Sequence, residues 1–198
     1  MEKLNTSTNQ ITTTVVSNTA GTNTYEIERT ISNPKGETAI IVLLYPTISS
    51  KKPFVEDMTL LHLTKHMNEM KLNRLIIVNL FSKVCSSRLS TRGIKVDEDN
   101  IRYIEKIFKE KKKEHNAKLI LAWGTSMSSC KSAKETKLRI IELYKNLYPD
   151  EVIYNIVTSD TKINKVATHP LFLGIRGNNS KWGLSEYFPK NDITLMDK

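Results

Sequence analysis

The stretch that decides the predicted fold is Thr38-Ala39-Ile40-Ile41-Val42-Leu43-Leu44-Tyr45-Pro46-Thr47-Ile48-Ser49-Ser50. Its first part, from Ala39 to Tyr45, is a short and continuously apolar run, which is typical of a strand buried on both faces. The run ends at Pro46 and passes into a loop of small hydroxyl residues and lysines. Open α/β sheets bind ligands at the carboxyl ends of their strands, so this loop is either part of a binding site or only a turn.

Three further apolar runs have the length and composition of buried strands, and they lie at 74–80, 117–124 and 151–157. Another segment, 24–31, largely alternates polar and apolar residues, which is typical of an edge or half-exposed strand. From Thr158 onward the chain shows little periodicity and is expected to be rich in loops. Together with the opening run, the sequence therefore predicts four buried strands and one half-exposed strand before them.

Helical patterns separate the four apolar runs. Asp57 is expected to cap the first helix, which should end near Asn73. Asp97 and Asp99 stand where they can cap the second helix, and Pro149 closes the third. Strands that alternate with helices form parallel sheets covered on both faces. The sequence therefore predicts an α/β fold, a three-layer α/β/α arrangement around a central, mainly parallel sheet of four strands.

The length of 198 residues fits one domain, which we place at 25–198. Residues 1–24 are rich in Ser, Thr and Asn, and form either a flexible tail or a loosely held first strand. No stretch approaches about eighteen continuous apolar residues, so no membrane span is expected. The first residues lack the apolar core of a signal peptide, and Cys85 and Cys130 have no Cys-x-x-Cys spacing. We therefore expect a reduced, cytoplasmic setting.

The formal net charge of +9 and the pI near 9.4 narrow the classes of partner. A basic balance favours nucleic acid, another polyphosphate or an anionic surface. The alternative is that the surplus lies on well-solvated, lysine-rich helix faces that bind nothing. Arginine is scarce relative to lysine, which weakens the case for bidentate contacts to phosphates or bases.

Several motifs that would define a chemistry are absent from the sequence. There is no G-x-x-x-x-G-K-[ST] loop, no G-x-G-x-x-G fingerprint and no G-x-S-x-G nucleophile elbow. His62 and His66 have the i, i+4 spacing of a metal-binding pair, but the Glu and the third ligand of a zincin helix are missing. We therefore expect no metal and no cofactor.

Polar residues stand at the ends of the predicted strands, at Tyr45-Pro46-Thr47, Asn79, Trp123-Gly124 and His169. In a doubly wound sheet these ends meet at one edge. Asn79 has the donor and acceptor groups that can read a base or another amide. His169 can donate to a developing oxyanion or contact a phosphate. Two alternatives remain, in which Asn79 caps the following turn and His169 only braces the loop before Pro170.

These strand-end residues resemble the pattern of the domain-of-unknown-function family 1643, a bacterial and phage family. The resemblance covers about 25–188 and keeps the order and spacing of the family's segments. Two segments depart from the pattern: Tyr45-Pro46-Thr47 replaces Asn-Pro-Ser, and Val84-Cys85-Ser86 replaces Arg-Ala-Thr. The chain is identified as a member of that family on the segments Leu44-Tyr45-Pro46-Thr47, Glu56-Asp57-Met58-Thr59, Val78-Asn79-Leu80-Phe81, Asp99-Asn100, Ala122-Trp123-Gly124 and His169-Pro170-Leu171-Phe172.

A more distant resemblance connects the same segments with the uracil-DNA glycosylases. That superfamily has a strand ending in a water-holding loop, an Asn that reads the flipped base, a strand ending in Trp-Gly, and a His-Pro loop near the base oxygen and the phosphates. The resemblance implies that Tyr45-Pro46-Thr47 is the water loop, Asn79 the base-reading Asn and His169-Pro170-Leu171 the His loop. Tyr45 departs from the superfamily's Asp or Asn, because a phenol is a poor general base near neutral pH.

The expected function is therefore that of a uracil-DNA-glycosylase-like domain that binds nucleic acid, a nucleotide or a base at the carboxyl ends of the parallel strands. An enzymatic version would also hydrolyse an N-glycosidic bond of DNA. The alternative is a non-enzymatic bacterial or phage interaction protein that uses the same fold to bind a protein partner.

The expected site residues fall into three groups. The catalytic group is Thr47, Asp57 and His169. The base- or nucleotide-binding group is Tyr45, Pro46, Asn79, Phe81, Trp123, Gly124 and Pro170. The phosphate- or nucleic-acid-binding group is Ser49, Lys51, Lys52, Arg88 and Arg92.

Overall fold

Seven strands and four α-helices make up the regular structure of the described residues, with one additional 3-10 turn. The computed structural model of the protein describes residues 4–32, 35–52, 55–87, 89–113, 117–177 and 179–188. The strands are β1 Ile11–Ser17, β2 Thr24–Ile31, β3 Glu37–Leu43, β4 Leu72–Asn79, β5 Ala117–Leu121, β6 Ile153–Thr158 and β7 Trp182–Glu186. The helices are α1 Met58–His66, α2 Glu98–Lys113, α3 Lys131–Leu147 and α4 Pro170–Arg176.

All seven strands lie in one mixed sheet, in the order β1-β2-β4-β3-β5-β6-β7. The four central strands, β4, β3, β5 and β6, pair in parallel, as the alternation of strands and helices predicts. Strands β1, β2 and β7 are antiparallel to their neighbours and extend the sheet on both sides. The predicted α/β class is confirmed, whereas the predicted sheet of four strands is too small.

Three elements lie in segments where the sequence predicts no regular structure or leaves it open. Strand β1 falls within residues 1–24, for which the structure has a strand rather than only a tail. Its first four residues are exposed, so burial imposes little apolar pattern on them, and backbone pairing with β2 defines the strand. Helix α4 and strand β7 fall in the region predicted to be loop. They are short, and Trp182 is the only buried residue of β7.

Aspartate side chains begin the two helices for which caps are predicted. Asp57 Oδ1 accepts a hydrogen bond from the Leu60 N–H at 2.6 Å, and this cap is confirmed. Asp97 Oδ1 accepts one from the Asn100 N–H at 3.1 Å, so Asp97 is the cap of α2. Helix α1 ends at His66, earlier than predicted. None of the described helices is long and apolar enough to cross a membrane.

Helices cover both faces of the sheet, which explains why the opening run of the sequence is continuously apolar. Ile40 and Val42 of β3 pack in one buried cluster with residues of α2 and α3. Ile41 and Leu43 alternate with them and pack in a second cluster with residues of α1 and α4. From Ala39 onward β3 therefore has no solvent-exposed face, as expected of a central parallel strand.

Candidate functional site

A cavity of about 190 Å³ lies at the carboxyl ends of β3 and β4, and we call it the strand-end cavity. Leu43 is paired with Asn79, and each is the last residue of its strand, so the two strands end side by side. The cavity is lined by six of the predicted site residues: Tyr45, Pro46, Thr47, Asp57, Asn79 and His169. Its other lining residues, absent from the predicted set, are Ile27, Leu43, Leu44, Thr59, Leu60, Leu63, Ile77, Ser126 and Leu171.

Asn79 is the most deeply buried polar side chain in the wall of the strand-end cavity. It is 2% exposed, and its side-chain oxygen Oδ1 has no hydrogen-bond partner. The main-chain oxygen of Asn79 accepts a hydrogen bond from the Asn100 side chain at 2.7 Å, which fixes the end of β4. A buried polar atom without a partner destabilises a fold by about 1–3 kcal/mol. Oδ1 therefore does not cap the following turn, and Asn79 is a lining residue whose side-chain acceptor is left unsatisfied within the protein.

His169 caps α4 through one of its two ring nitrogens. Nδ1 accepts a hydrogen bond from the Leu171 N–H at 3.3 Å, so the proton of the neutral ring is on Nε2. Burial lowers the pKa of His169 to about 4, against the opposing effect of the Asp57 carboxylate. The ring is therefore uncharged near neutral pH, with Nε2–H as a donor. The bracing role before Pro170 is present, and it occupies only Nδ1.

A tight contact between two loops sets the position of His169. Gly124 has a φ of +69°, and a Cβ on it would lie 3.0 Å from the Cβ of His169. The Gly124 N–H donates to the main-chain oxygen of Ala167 at 2.8 Å. Ala167 itself has a φ of +49°, a strained conformation for a residue with a side chain. Gly124 does not line the strand-end cavity, and its close approach to His169 supports that residue from outside.

Asp57 joins the strand-end cavity to the start of α1. One carboxylate oxygen caps the helix, and the other accepts a hydrogen bond from the Thr47 hydroxyl. The helix N-terminus favours a negative charge at this position. The Asp57 carboxylate raises the pKa of His169 while burial lowers it, so the two side chains interact electrostatically. A carboxylate, a hydroxyl and a neutral imidazole thus line one cavity, and these are groups that can carry out general acid–base chemistry.

Three other residues predicted to bind a base do not line the strand-end cavity. Trp123 is 1% exposed and lies in the core beneath α2 and α3, with its ring edge-on to Tyr187. Phe81 is buried in the same cluster. Pro170 is the first residue of α4 and is buried there. These three residues therefore support the strand ends from outside the cavity.

The residues predicted to bind phosphate are spread over several loops. Ser49 is buried, and its hydroxyl donates to a main-chain oxygen at 2.8 Å, which is a structural contact. Lys51 and Lys52 are exposed, and they lie in the loop a few residues after Thr47, which lines the strand-end cavity. Arg92 is exposed in the loop before α2 and lines a different cavity. Arg88 lies outside the described residues.

The two histidines of α1 take part in packing. The His62 ring lies against Gly174 of α4, where a Cβ would come within 2.2 Å of the ring. The His66 ring stacks on Trp182 with 4.2 Å between centroids, and its Nδ1 lies 2.8 Å from a Glu69 carboxylate oxygen. Among the residues that the structure describes, His, Cys, Asp and Glu form no group of three or more that could hold a metal ion.

The comparisons with known proteins assign the chain to a family. The model of the family described as "Protein of unknown function (DUF1643)" matches residues 25–171, which is most of the chain. No curated protein and no solved structure matches the sequence or the fold. The family prediction made from the strand-end segments is confirmed. The chain belongs to the DUF1643 family.

Proposed function

We propose that the strand-end cavity binds a nucleobase, and that the protein is a uracil-DNA-glycosylase-like domain for nucleic acid or a nucleotide. The observation that carries the proposal is the buried, unpaired Oδ1 of Asn79 in a cavity that also contains His169. The cavity of about 190 Å³ is smaller than the roughly 300–1,000 Å³ of pockets for drug-sized ligands. It suits one heterocyclic ring rather than a whole nucleotide.

A nucleobase has the polar edge and the flat apolar faces that this lining can recognise. A ring N–H of the base would donate to Asn79 Oδ1, and His169 Nε2–H would donate to a base carbonyl. The aliphatic side chains of Ile27, Leu43 and Ile77 would contact the rest of the ring. Asn79 Oδ1 stays unpaired with an analogue that lacks the N–H, so such an analogue should bind more weakly by about 1–3 kcal/mol.

The chain order of the strand ends supports the uracil-DNA-glycosylase-like part of the proposal. Tyr45-Pro46-Thr47 follows β3, Asn79 ends β4, Gly124 follows β5 and His169 follows β6. These four strands are the parallel ones, so their carboxyl ends share one edge of the sheet. The first two landmarks and His169 line one cavity, and Gly124 contacts His169, as a common architecture with that superfamily would require.

The position of Asp57 favours a second, enzymatic version of the function, the hydrolysis of an N-glycosidic bond. The Asp57 carboxylate, held by Thr47, would take a proton from a water molecule as the water oxygen attacks the sugar carbon C1′. The C1′–N bond would break with its electron pair going to the base, and His169 Nε2–H would stabilise that negative charge. Asp57 would thereby supply the general base that Tyr45 cannot.

Calorimetric titration with free nucleosides, beginning with deoxyuridine, tests the binding proposal. We expect binding by the wild-type protein and its loss in Asn79→Ala and His169→Ala. Asn155→Ala is the matched control, because Asn155 is a buried strand Asn of β6 that does not line the strand-end cavity. Equal affinity in all four proteins, or no binding of any nucleoside to the wild type, would contradict the proposal.

The enzymatic version has a separate readout. Incubation with DNA that contains uracil or damaged bases should leave alkali-labile abasic sites, and these should not form with His169→Ala. Binding without abasic sites would leave the protein as a binding domain.

A further inference from the structure

A second cavity, of about 600 Å³, lies beside the N-terminal end of α2, and we call it the basic cavity. Three cationic side chains line it, Lys83, Arg92 and Lys95, and all three are exposed. Asp97 is the one acidic residue among the described residues that line it.

The charge of the basic cavity is not balanced by its own lining. The Asp97 carboxylate accepts hydrogen bonds from the Ser82 N–H at 2.9 Å, the Ser82 hydroxyl at 2.6 Å and the Asn100 N–H at 3.1 Å, so the fold already uses it. Lys83, Arg92 and Lys95 form no ion pair with another described residue. The surplus positive charge is therefore available to an anion from solution.

The cations of α2 show a different arrangement. Arg102 forms an ion pair with Asp99. The Nζ of Lys106 lies 3.7 Å from a carboxylate oxygen of Glu110, and the Nζ of Lys109 lies 2.6 Å from one of Glu105. These pairs at i, i+3 and i, i+4 spacing neutralise an exposed helix face. These three cations of α2 therefore have counter-charges within the protein, whereas the three cations of the basic cavity have none among the described residues.

The two cavities are neighbours at the same edge of the sheet. The Cys85 N–H in the basic cavity donates to the main-chain oxygen of Pro46 in the strand-end cavity at 2.9 Å. Asn79 and Phe81 are two residues apart at the end of β4, and they line the strand-end cavity and the basic cavity respectively. Two extended residues span at most about 7 Å. The walls of the two cavities are therefore close together at the end of β4.

We infer that the basic cavity binds the backbone phosphates of the strand whose base enters the strand-end cavity, so that the ligand is a nucleic-acid strand and not a free base. The inference rests on the proposed function. An uncharged base would leave Lys83, Arg92 and Lys95 without counter-charge, whereas a strand brings a phosphate with every nucleotide. Lys83 and Lys95 thereby join Arg92 as phosphate-binding residues.

The test is the affinity of a short, fluorescently labelled single-stranded oligodeoxynucleotide, measured over a series of salt concentrations. The variant is Lys83→Gln/Arg92→Gln/Lys95→Gln. The matched control is Arg102→Gln/Lys106→Gln/Lys109→Gln. It also removes three positive charges, but from the face of α2 where they are paired with carboxylates. Neutralising three phosphate contacts should lower the slope of log K against log salt by about 2, and the affinity near 0.1 M salt by up to about 100-fold. The control should leave both unchanged, and thermal melting should show that both variants are folded.

The outcomes separate this inference from the proposed function. Equal oligonucleotide affinity in the wild type and the basic-cavity variant, equal losses in both variants, or no oligonucleotide binding at all would overturn the inference. Titration with deoxyuridine is the independent readout of the strand-end cavity, and the basic-cavity variant should keep its wild-type affinity there. Loss of oligonucleotide binding in that variant alone supports the basic cavity as a phosphate site, even if the nucleoside titration contradicts the nucleobase pocket.

Discussion

Replacing Asn79 by leucine should stabilise the protein and abolish ligand binding. Leucine has nearly the shape of asparagine and no polar atoms, and the side-chain oxygen that it removes is buried and unpaired. An unsatisfied buried polar group destabilises a fold by about 1–3 kcal/mol. We therefore expect the free energy of unfolding to rise by about 1–3 kcal/mol in the ligand-free protein. A domain of this size gains roughly 2–4 °C in Tm per kcal/mol, so Tm should rise by about 2–12 °C.

Urea denaturation and thermal melting of the ligand-free protein measure this effect. Asn164→Leu is the control with the opposite sign, because Asn164 Oδ1 accepts from the Thr158 N–H at 2.7 Å and Nδ2 donates to the Thr158 main-chain oxygen at 2.8 Å. That variant should lose about 1–3 kcal/mol. If Asn79→Leu were destabilised as much as Asn164→Leu, the Asn79 side chain would already be satisfied within the protein, and the argument for a preformed site would fail.

Three further predictions concern the groups around Asn79. Burial lowers the pKa of His169 from its usual value of 6.5 to about 4, so between these two pH values the unfolded chain binds a proton that the folded protein does not. The free energy of unfolding should therefore fall by up to about 3 kcal/mol as the pH drops from about 6.5 to about 4, and it should level off below pH 4. Urea denaturation of His169→Gln over the same pH range should lack this change. Gly124→Ala should lower the free energy of unfolding by about 1–2 kcal/mol because of its positive φ, and it should also weaken nucleoside binding because the new Cβ would meet His169. Gly93→Ala is the control, since Gly93 has a φ of +71° and open space around it. Thermal melting and nucleoside titration should show only the loss of stability for that variant. Asp57→Asn should keep the α1 cap and change the free energy of unfolding by less than about 0.5 kcal/mol, but it should abolish any formation of abasic sites. Asp57→Ala should lose both the activity and the cap, which contributes about 0.5–2 kcal/mol. Base release by Asp57→Asn at the wild-type rate would rule out Asp57 as the general base.

The central strands and the convergence of their ends could be predicted from the sequence. Burial on both faces keeps β3 continuously apolar, so the strand is visible without knowledge of its neighbours. Parallel pairing then brings Asn79 and the Tyr45-Pro46-Thr47 loop to one edge. The Asp57 cap was predictable for a local reason, since a helix start needs an acceptor for its free N–H groups.

The face on which each strand-end residue lies could not be predicted. Successive residues of a strand point to opposite faces, so an error of one position sends a side chain to the wrong layer. Ala122 packs on the α1 side of the sheet, where the strand-end cavity lies, and the next residue, Trp123, packs on the α2 side. The position of an aromatic residue at a strand end therefore does not tell whether its ring packs in the core or lines the cavity.

The outer elements left too weak a signal in the sequence. The first half of β1 is exposed, and only its pairing with β2 defines it as a strand. Helix α4 has no apolar repeat long enough to be recognised, and its start is visible only as His169-Pro170. The role of Asn100 was also hidden, because its hydrogen bond to the main chain of Asn79 joins two residues far apart in sequence.

We propose that Asn79 and His169 together recognise a base in the strand-end cavity. Nuclear magnetic resonance of the isotope-labelled protein, titrated with deoxyuridine and then with the other nucleosides, observes the side-chain amide of Asn79 and the ring Nε2 of His169 directly. We expect at least one nucleoside to shift both signals together, in a saturable way. Nucleoside binding that leaves both signals unmoved, or no saturable shift with any nucleoside, would contradict it.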